Sequence, residues 1–330
     1  MQVSVVIPTY NRRAKLWQTL VSLQSQTLPP DEYEVIVVDD GSEDGTQEAA
    51  ASWSLPCSLR CYRQEKGGAV AARNYGARQA IGEVLAFLDD DMVLSPEYLS
   101  ELLHCYRSTP KALVVGTLRP FERPGRTIFE RVHGAASLSP EPDADSDSTA
   151  GCVALAHIYC LSGLLAVNRC GFFDIGMLRR LAEGGPEAWS DIAFAHRAVQ
   201  QGYGVVRAVR AVAYHDDGSC ASLEVACRTA RKNGRAAVLL FRTHPELEPA
   251  IVAYRDMGYV SWGRDSPVIA ARKIARGIMA WPPALWMLEQ VTRLVGYAHP
   301  APVLLRPLYR WVLGTHICLG YREGLRKQRV

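Results

Sequence analysis

The sequence predicts an α/β fold built on one sheet, and three observations carry that expectation. Over the first hundred residues a short β-branched run, a polar turn and a segment of helical period succeed one another repeatedly, as strands alternating with covering helices do. Three of the apolar runs end in polar clusters, which gathers those clusters along one sheet edge, where open α/β sheets bind ligands. With 330 residues and 48% apolar content, the chain can form a substantial core as one large domain or two smaller ones.

Val3 to Ile7 reads as a buried strand, and Arg12 to Ser25 as a helix with Leu16, Leu20 and Leu23 on one face. Glu34 to Val38 is the second strand, followed by the turn Asp39-Asp40-Gly41-Ser42 and a helix from near Asp44. Residues 58–63 give a weaker strand and Ala69 to Ala80 a helix, after which a strand from Glu83 to Leu88 runs into Asp89-Asp90-Asp91. A helix from Pro96 and a strand at Ala112 to Val115 precede a long excursion from Thr117 to Ala150. Its stretch from Ser139 to Ser148, rich in Ser, Pro, Asp and Glu, reads as a mobile surface loop. Regular structure resumes over Val153 to Val167, a helix covers Pro186 to Gln201, and a strand from Val205 to Tyr214 leads to His215. Beyond Ser219 the character changes to Arg-rich helices interspersed with Trp262, Trp281, Trp286, Tyr297, Tyr309 and Trp311. A boundary near Asp217 therefore separates a first domain, 1–217, from a helical region, 218–330.

A net charge of +3 gives no reason to expect a nucleic-acid partner; a basic tail beside an acidic site suits a phosphate-rich ligand or an anionic membrane. The nine cysteines show no CxxC or Cys/His spacing and read as reduced thiols of a cytoplasmic protein. The opening Val3-Ser4-Val5-Val6-Ile7 follows no basic leader, so a secretory signal is not expected. Residues 278–288 and 303–319 come nearest to a membrane span, but prolines, arginines or shortness spoil each.

Three consecutive aspartates after a buried strand repel one another unless a cation neutralises them, and a hard divalent ion with oxygen ligands does so economically. Alternation at the strand exit would point Asp89 and Asp91 to one side and Asp90 to the other. The competing account is an N-cap cluster for the helix at Pro96. Asp39 follows its strand in the same manner, either as an Asx-type turn or as a carboxylate recognising a base imide or ribose hydroxyls. Arg73, one helical turn beyond Gly67-Gly68, serves as a phosphate contact or as a helix-surface arginine.

Val5-Val6-Ile7-Pro8-Thr9-Tyr10-Asn11, Val37-Val38-Asp39-Asp40-Gly41-Ser42, Ala72-Arg73-Asn74-Tyr75-Gly76 and Phe87-Leu88-Asp89-Asp90-Asp91 occur in that order. Together they resemble family 2 glycosyltransferases over about residues 1–217. Each string alone is weak; the ordered set is specific. The resemblance implies a GT-A fold with a C-terminal helical extension. It places the nucleotide-sugar against Pro8, Thr9, Tyr10 and Arg12 on the first loop, and against Asp39, Arg73, Asp89 and Asp90 beyond it. Asp89 and Asp91 would form the DxD pair, with Mg2+ or Mn2+ held at Asp91.

Farther along, the family carries a Glu-Asp pair opening a helix. Here Trp189-Ser190-Asp191-Ile192 matches it, with Ser190 in place of the glutamate. Asp191 is thereby similar to the family's general base, against the alternative of a carboxylate stabilised by the helix N-terminus. His215 takes the position of family histidines that contact metal or diphosphate, or is a structural histidine capped by Asp216 and Asp217.

The implied reaction is inverting single displacement, in which Asp191 deprotonates an acceptor hydroxyl and the metal neutralises the departing nucleoside diphosphate. UDP is the preferred carrier, with GDP and dTDP open; the acceptor is a glycan or a lipid-linked sugar, as in cell-envelope polysaccharide synthesis. A nucleotidyltransferase or a dehydrogenase would need a glycine-rich loop after the first strand, and Pro8-Thr9-Tyr10-Asn11-Arg12 is not one. A lapsed binding module stays open at Ser190. A processive synthase would carry QxxRW, whereas Arg310-Trp311 follows Pro307. The Arg-aromatic C-terminal region either packs as a cap or lies on a membrane surface.

Overall fold

The computed structural model describes residues 1–109, 111–133, 151–182, 185–216, 218, 221–298 and 301–327, so the acidic stretch 139–148 lies outside the described residues, as does Asp217. The chain divides into two compact units. The first comprises Met1–Phe121, Ala135–Arg180 and Ser190–Asp216; the second comprises Glu122–Gly134, Leu181–Trp189 and Asp217–Val330.

The first unit is a nine-stranded sheet with helices. Its strands are β1 (Val3–Thr9), β2 (Tyr33–Asp39), β3 (Ser58–Arg63), β4 (Val84–Phe87), β5 (Met92–Leu94), β6 (Ala112–Pro120), β7 (Cys152–Ala154), β8 (Leu165–Asn168) and β9 (Gly204–His215). The spatial order is β3-β2-β1-β4-β8-β6-β9-β5, with β7 pairing β9. Strands β1 to β4 run parallel, whereas β8 is antiparallel to both β4 and β6. Every residue of β1 and β2 is buried, which explains why both read as continuous apolar runs: central parallel strands are covered on two faces.

The covering helices are α1 (Arg13–Gln24), α2 (Thr46–Ala50), α3 (Ala69–Gln79), α4 (Tyr98–Ser108), α6 (Arg169–Asp174) and α7 (Ser190–Gln200), with α5 (Ile128–His133) belonging to the second unit. Gly76 fixes how α3 seats on the sheet, since a Cβ there would lie 2.4 Å from Val6 Cγ1. Arg73, in the preceding turn of α3, reaches Asp89 beyond β4.

Several boundaries differ from expectation. β6 runs past Val115 to Pro120: a bulge at Gly116/Thr117 restarts its pairing with β9, so the excursion begins later. Thr117-Leu118-Arg119-Pro120 has no β-branched run to announce the extension. Within Val153 to Val167 the only strands are the end of β7 and the start of β8, separated by two single-turn 3-10 helices. The helix expected from Pro186 starts at Ser190, after Trp189 adopts a positive φ of 73°.

The second unit is helical: α5, α8 (Leu223–Thr243), α9 (Pro267–Met279), α10 (Pro282–Ala298) and α11 (Pro302–Lys327). Its core joins Phe129 and Val132 to Leu305, Tyr309, Val312 and Leu313. α8 and α11 approach backbone to backbone, because a Cβ on Gly320 would lie 2.0 Å from the Arg231 carbonyl oxygen and one on Gly234 2.4 Å from that of Ile317. Among the described residues no helix is long and apolar enough to cross a membrane. The eight described cysteines are free.

Candidate active site

The first unit brings the polar ends of β1, β2 and β4 together. β4 stops at Phe87, and the chain turns through Asp90 and Asp91 before entering β5. Asp90 accepts a hydrogen bond from Thr9 Oγ1 at 2.7 Å and one from Arg12 Nη1 at 3.0 Å. The same Arg12 nitrogen reaches Asp91 Oδ2 at 2.9 Å. Asp89 instead pairs with Arg73 of α3. The expectation that Asp90 points away from a working Asp89/Asp91 pair is therefore corrected: Asp90 and Asp91 share one guanidinium and Asp89 stands apart. Alternation requires extended backbone, and the turn ends it. Nor do the aspartates cap α4, whose N-cap is Glu97.

Exposure separates the three carboxylates: the Asp89 side chain is 34% accessible, those of Asp90 and Asp91 only 6% and 4%. Burial, reinforced by the charge of Asp91, pushes the Asp90 carboxyl up to about 6 against the pull of Arg12 and Thr9. Burial opposes ionisation of Asp91 too, but His215, Arg12 and Lys15 outweigh it and hold that carboxyl below the ordinary range. His215 Nε2 lies 3.1 Å from Asp91 Oδ1. The sheet sets this pair, since Met92 is in register with His215 and Asp216 N donates to the Asp91 carbonyl at 3.1 Å. A carboxylate and an imidazole, Asp91 and His215, meet here as two donors that suit a hard or borderline divalent cation keeping positions for water and phosphate oxygens, while Asp89 is paired with Arg73.

At the end of β2, Asp39 Oδ1 accepts from Ser42 N at 2.9 Å, an Asx turn, and Oδ2 faces Arg63 Nη1 at 3.3 Å. Asp40, not singled out from the sequence, accepts from Gly67 N, Gly68 N and Gln64 Nε2, each at 2.7 Å. It ties the loop before α3 to the sheet. Pro8 sits inside β1, in register with Val38. Tyr10 is exposed with Lys66 Nζ 3.9 Å above its ring. Asn11, at a positive φ of 52°, joins the β1 and β2 loops by accepting from Glu43 N at 2.7 Å and donating its own N–H to Ser42 Oγ at 2.9 Å.

Arg73 is buried, and its Nε has no hydrogen-bond partner among the described residues. Such an unpaired donor costs about 1–3 kcal/mol, which an anionic ligand would relieve. Arg73 also acts on Asp191 in the first turn of α7. Burial raises the Asp191 carboxyl above its ordinary range, although hydrogen bonds from Ile192 N (2.9 Å) and Ser162 N (3.4 Å) and the charge of Arg73 pull the other way. Ser162-Gly163 touches both acidic groups: Ser162 N faces Asp191, while the Gly163 carbonyl accepts from Asp89 N at 3.3 Å. A Cβ on Gly163 would stand 2.2 Å from Asp89 Oδ2. Sequence reasoning passed over this glycine, and the only available signal was its place in the apolar run Leu161 to Leu165.

Comparison with known proteins agrees with this architecture. Residues 4–151 match the model of the glycosyl transferase family 2. The glycosyltransferase AglE of Haloferax volcanii is 31% identical over 216 residues, 64% of this chain and 66% of that protein. The validoxylamine A glucosyltransferase of Streptomyces hygroscopicus subsp. limoneus is 42% identical over 115 residues, 34% of this chain but only 25% of its own length. The chain thus spans a quarter of one relative and just under two thirds of the other. Among solved structures, a mannosyltransferase from Pyrobaculum calidifontis in complex with GDP-Man and Mn2+ superposes with a TM-score of 0.65 at 19% identity, covering 99% of this chain and 88% of that one. The 1-349 portion of S. aureus TarS does so at 0.50 and 18%, covering 100% and 91%. At such identities the likeness establishes the fold, which is GT-A.

Proposed function

Because the chain belongs, through residues 4–151, to glycosyl transferase family 2, we propose that it is an inverting, non-processive glycosyltransferase. It moves a sugar from a nucleotide diphosphate, UDP in preference, to an acceptor hydroxyl on a glycan or lipid-linked sugar. The observation that carries this reading is the division of the acidic groups. Asp90 and Asp91 share Arg12, Asp89 pairs with Arg73, and Asp191 stands apart from these three, with Ser162-Gly163 touching both Asp89 and Asp191.

In this reading Thr9, Tyr10, Arg12 and Asp39 line the nucleoside side, the Asp39 carboxylate accepting from the uracil imide. The Arg73 Nε takes a diphosphate oxygen as its missing acceptor. Asp91 and His215, with Asp89, hold Mg2+ or Mn2+, which when bound neutralises the charge gathering on the departing diphosphate. Asp191 removes the proton from the acceptor hydroxyl as that oxygen attacks the anomeric carbon opposite the leaving group. A carboxyl raised by burial is a better proton acceptor than an exposed one. Transfer of one sugar or few is supported by Pro307 at the place where a processive enzyme would carry glutamine.

Thermal-shift screening against UDP-, GDP- and dTDP-sugars with manganese identifies the donor, and NMR of the product then reads its anomeric configuration. Inversion is expected. Retention of configuration, or donor binding with neither transfer nor hydrolysis, would overturn the proposal, the latter in favour of a sugar-nucleotide binding module.

A further inference from the structure

Two helices of the second unit, α9 and α10, leave much of their apolar surface outward. α9 turns Lys273 and Arg276 inward, onto Asp265 at 2.7 Å and Asp256 at 3.0 Å, while Val268, Ile274 and Ile278 face solvent. α10 packs through Leu285, Thr292 and Gly296 and presents Trp286, Met287, Val291, Leu294 and Tyr297 outward, at 44–91% exposure. Val303, Leu304 and Trp311 continue the pattern on the first turns of α11, and Trp281 joins α9 to α10. The three helices pack on one another. Apolar exposure of this extent is not a feature of an ordinary solvated surface.

Charge identifies what covers it. Between residues 261 and 311 every exposed charged side chain among the described residues is an arginine: Arg264, Arg272, Arg293, Arg306 and Arg310. Seven basic and two acidic residues occur in that segment, more net positive charge than the whole chain carries. A second copy of this chain seated on the same face by two-fold symmetry would set arginines against arginines with no exposed acid to answer them. An anionic lipid surface satisfies both features, with arginines among the headgroups and tryptophans at the boundary with the acyl chains, where their rings prefer to lie. At 13 and 17 residues, α9 and α10 measure roughly 20 and 26 Å, short of a hydrocarbon core of about 30 Å. They suit lying in the interface, not crossing it.

We infer that the exposed faces of α9, α10 and the start of α11 form a monotopic docking surface for an anionic bilayer. The proposal stands on exposure and charge and does not depend on the transferase reading. The test uses the full chain without donor or metal: flotation with phosphatidylcholine vesicles, with and without phosphatidylglycerol, at low and high salt. Binding to the anionic vesicles is expected, weakened but not abolished by salt, with tryptophan fluorescence quenched by brominated lipid. Combining Trp281→Ser, Trp286→Ser and Leu294→Ser lowers partitioning by roughly tenfold or more. Reversal of Arg272, Arg306 or Arg310 to Glu lowers it by roughly fivefold each and flattens the salt dependence. Failure of the wild-type chain to float with anionic vesicles, or unquenched tryptophan in the floated fraction, overturns the proposal. So does concentration-dependent dimerisation without lipid that Trp286→Ser reverses, which would give the face to a second copy. No activity enters the assay, so its failure leaves the transferase reading intact.

Discussion

The two units break the same rule in different ways. The first buries charge: Asp90, Asp91 and Arg73 are nearly inaccessible, and two of the three carboxylates share one guanidinium. The second exposes apolar surface while turning Lys273 and Arg276 inward. Buried charge is costly unless paired, and exposed apolar area is costly unless covered; among the described residues the Arg73 Nε in the first unit and the exposed rings of α10 in the second are groups left unanswered. Under the two proposals the difference is one of ligand chemistry: a compact, charged molecule for the first unit and an extended apolar surface for the second.

The largest expected effect tests the first half of that contrast. Asp191→Asn should lower transfer by about 10²–10⁴-fold, the range for a general base, and leave donor affinity within about twofold by calorimetry with metal present. Asp91→Asn should instead abolish donor binding; equal losses of affinity in the two variants would sink the role assignment. Gly163→Ala places a methyl group against the Asp89 carboxylate, and a displacement of that size should cost about 100-fold in kcat/KM without lowering the melting temperature. An unchanged kcat/KM would mean that Asp89 is free to move and that its pairing with Arg73 is incidental.

Gly320→Ala addresses the second unit, where a Cβ would meet the Arg231 carbonyl. Separation of α8 from α11 should cost about 1–3 kcal/mol in chemical denaturation, whereas a neutral result would show that the two backbones are not in contact. A subtler test returns to Asp191, which must be ionised to act as a base, so kcat should fall as pH drops through its raised value. Because the charge of Arg73 favours the ionised form, Arg73→Gln should move that acid limb to higher pH. A limb that stays in place or moves down would separate Arg73 from Asp191. The smallest expected effect is Trp286→Ser on stability: an exposed ring should change unfolding free energy by less than about 0.5 kcal/mol. Loss well beyond that would show the ring to be packed, and the contrast between the units would fail.

Much of the first unit is legible in the sequence because its information is local. β1 and β2 are β-branched runs, α3 follows paired glycines, and the polar clusters sit where strands must end. The same local rules misplace Asp90, because they extend strand alternation into a turn. They also miss Asp40 and Gly163, whose contacts lie 27 residues away at Gly67 in the first case and across to Asp89 in the second. A glycine has no side chain to advertise a function, and its role is defined by what would collide with it.

In the second unit the sequence supplies helices, arginines and aromatics but not which face of each helix is inside. A stripe such as Met287, Val291 and Leu294 reads equally well as the packed side of a soluble helix. Only the tertiary structure decides, because Gly296 and Thr292 permit close packing on the opposite face. What the sequence determined by itself is therefore periodic or contiguous: the strands, the helices, the aspartate cluster and the family. The tertiary structure decided which carboxylates share a guanidinium, which glycine touches which acid, and which apolar faces stay uncovered. Those are pairings between distant segments, and short-range sequence patterns carry no record of them.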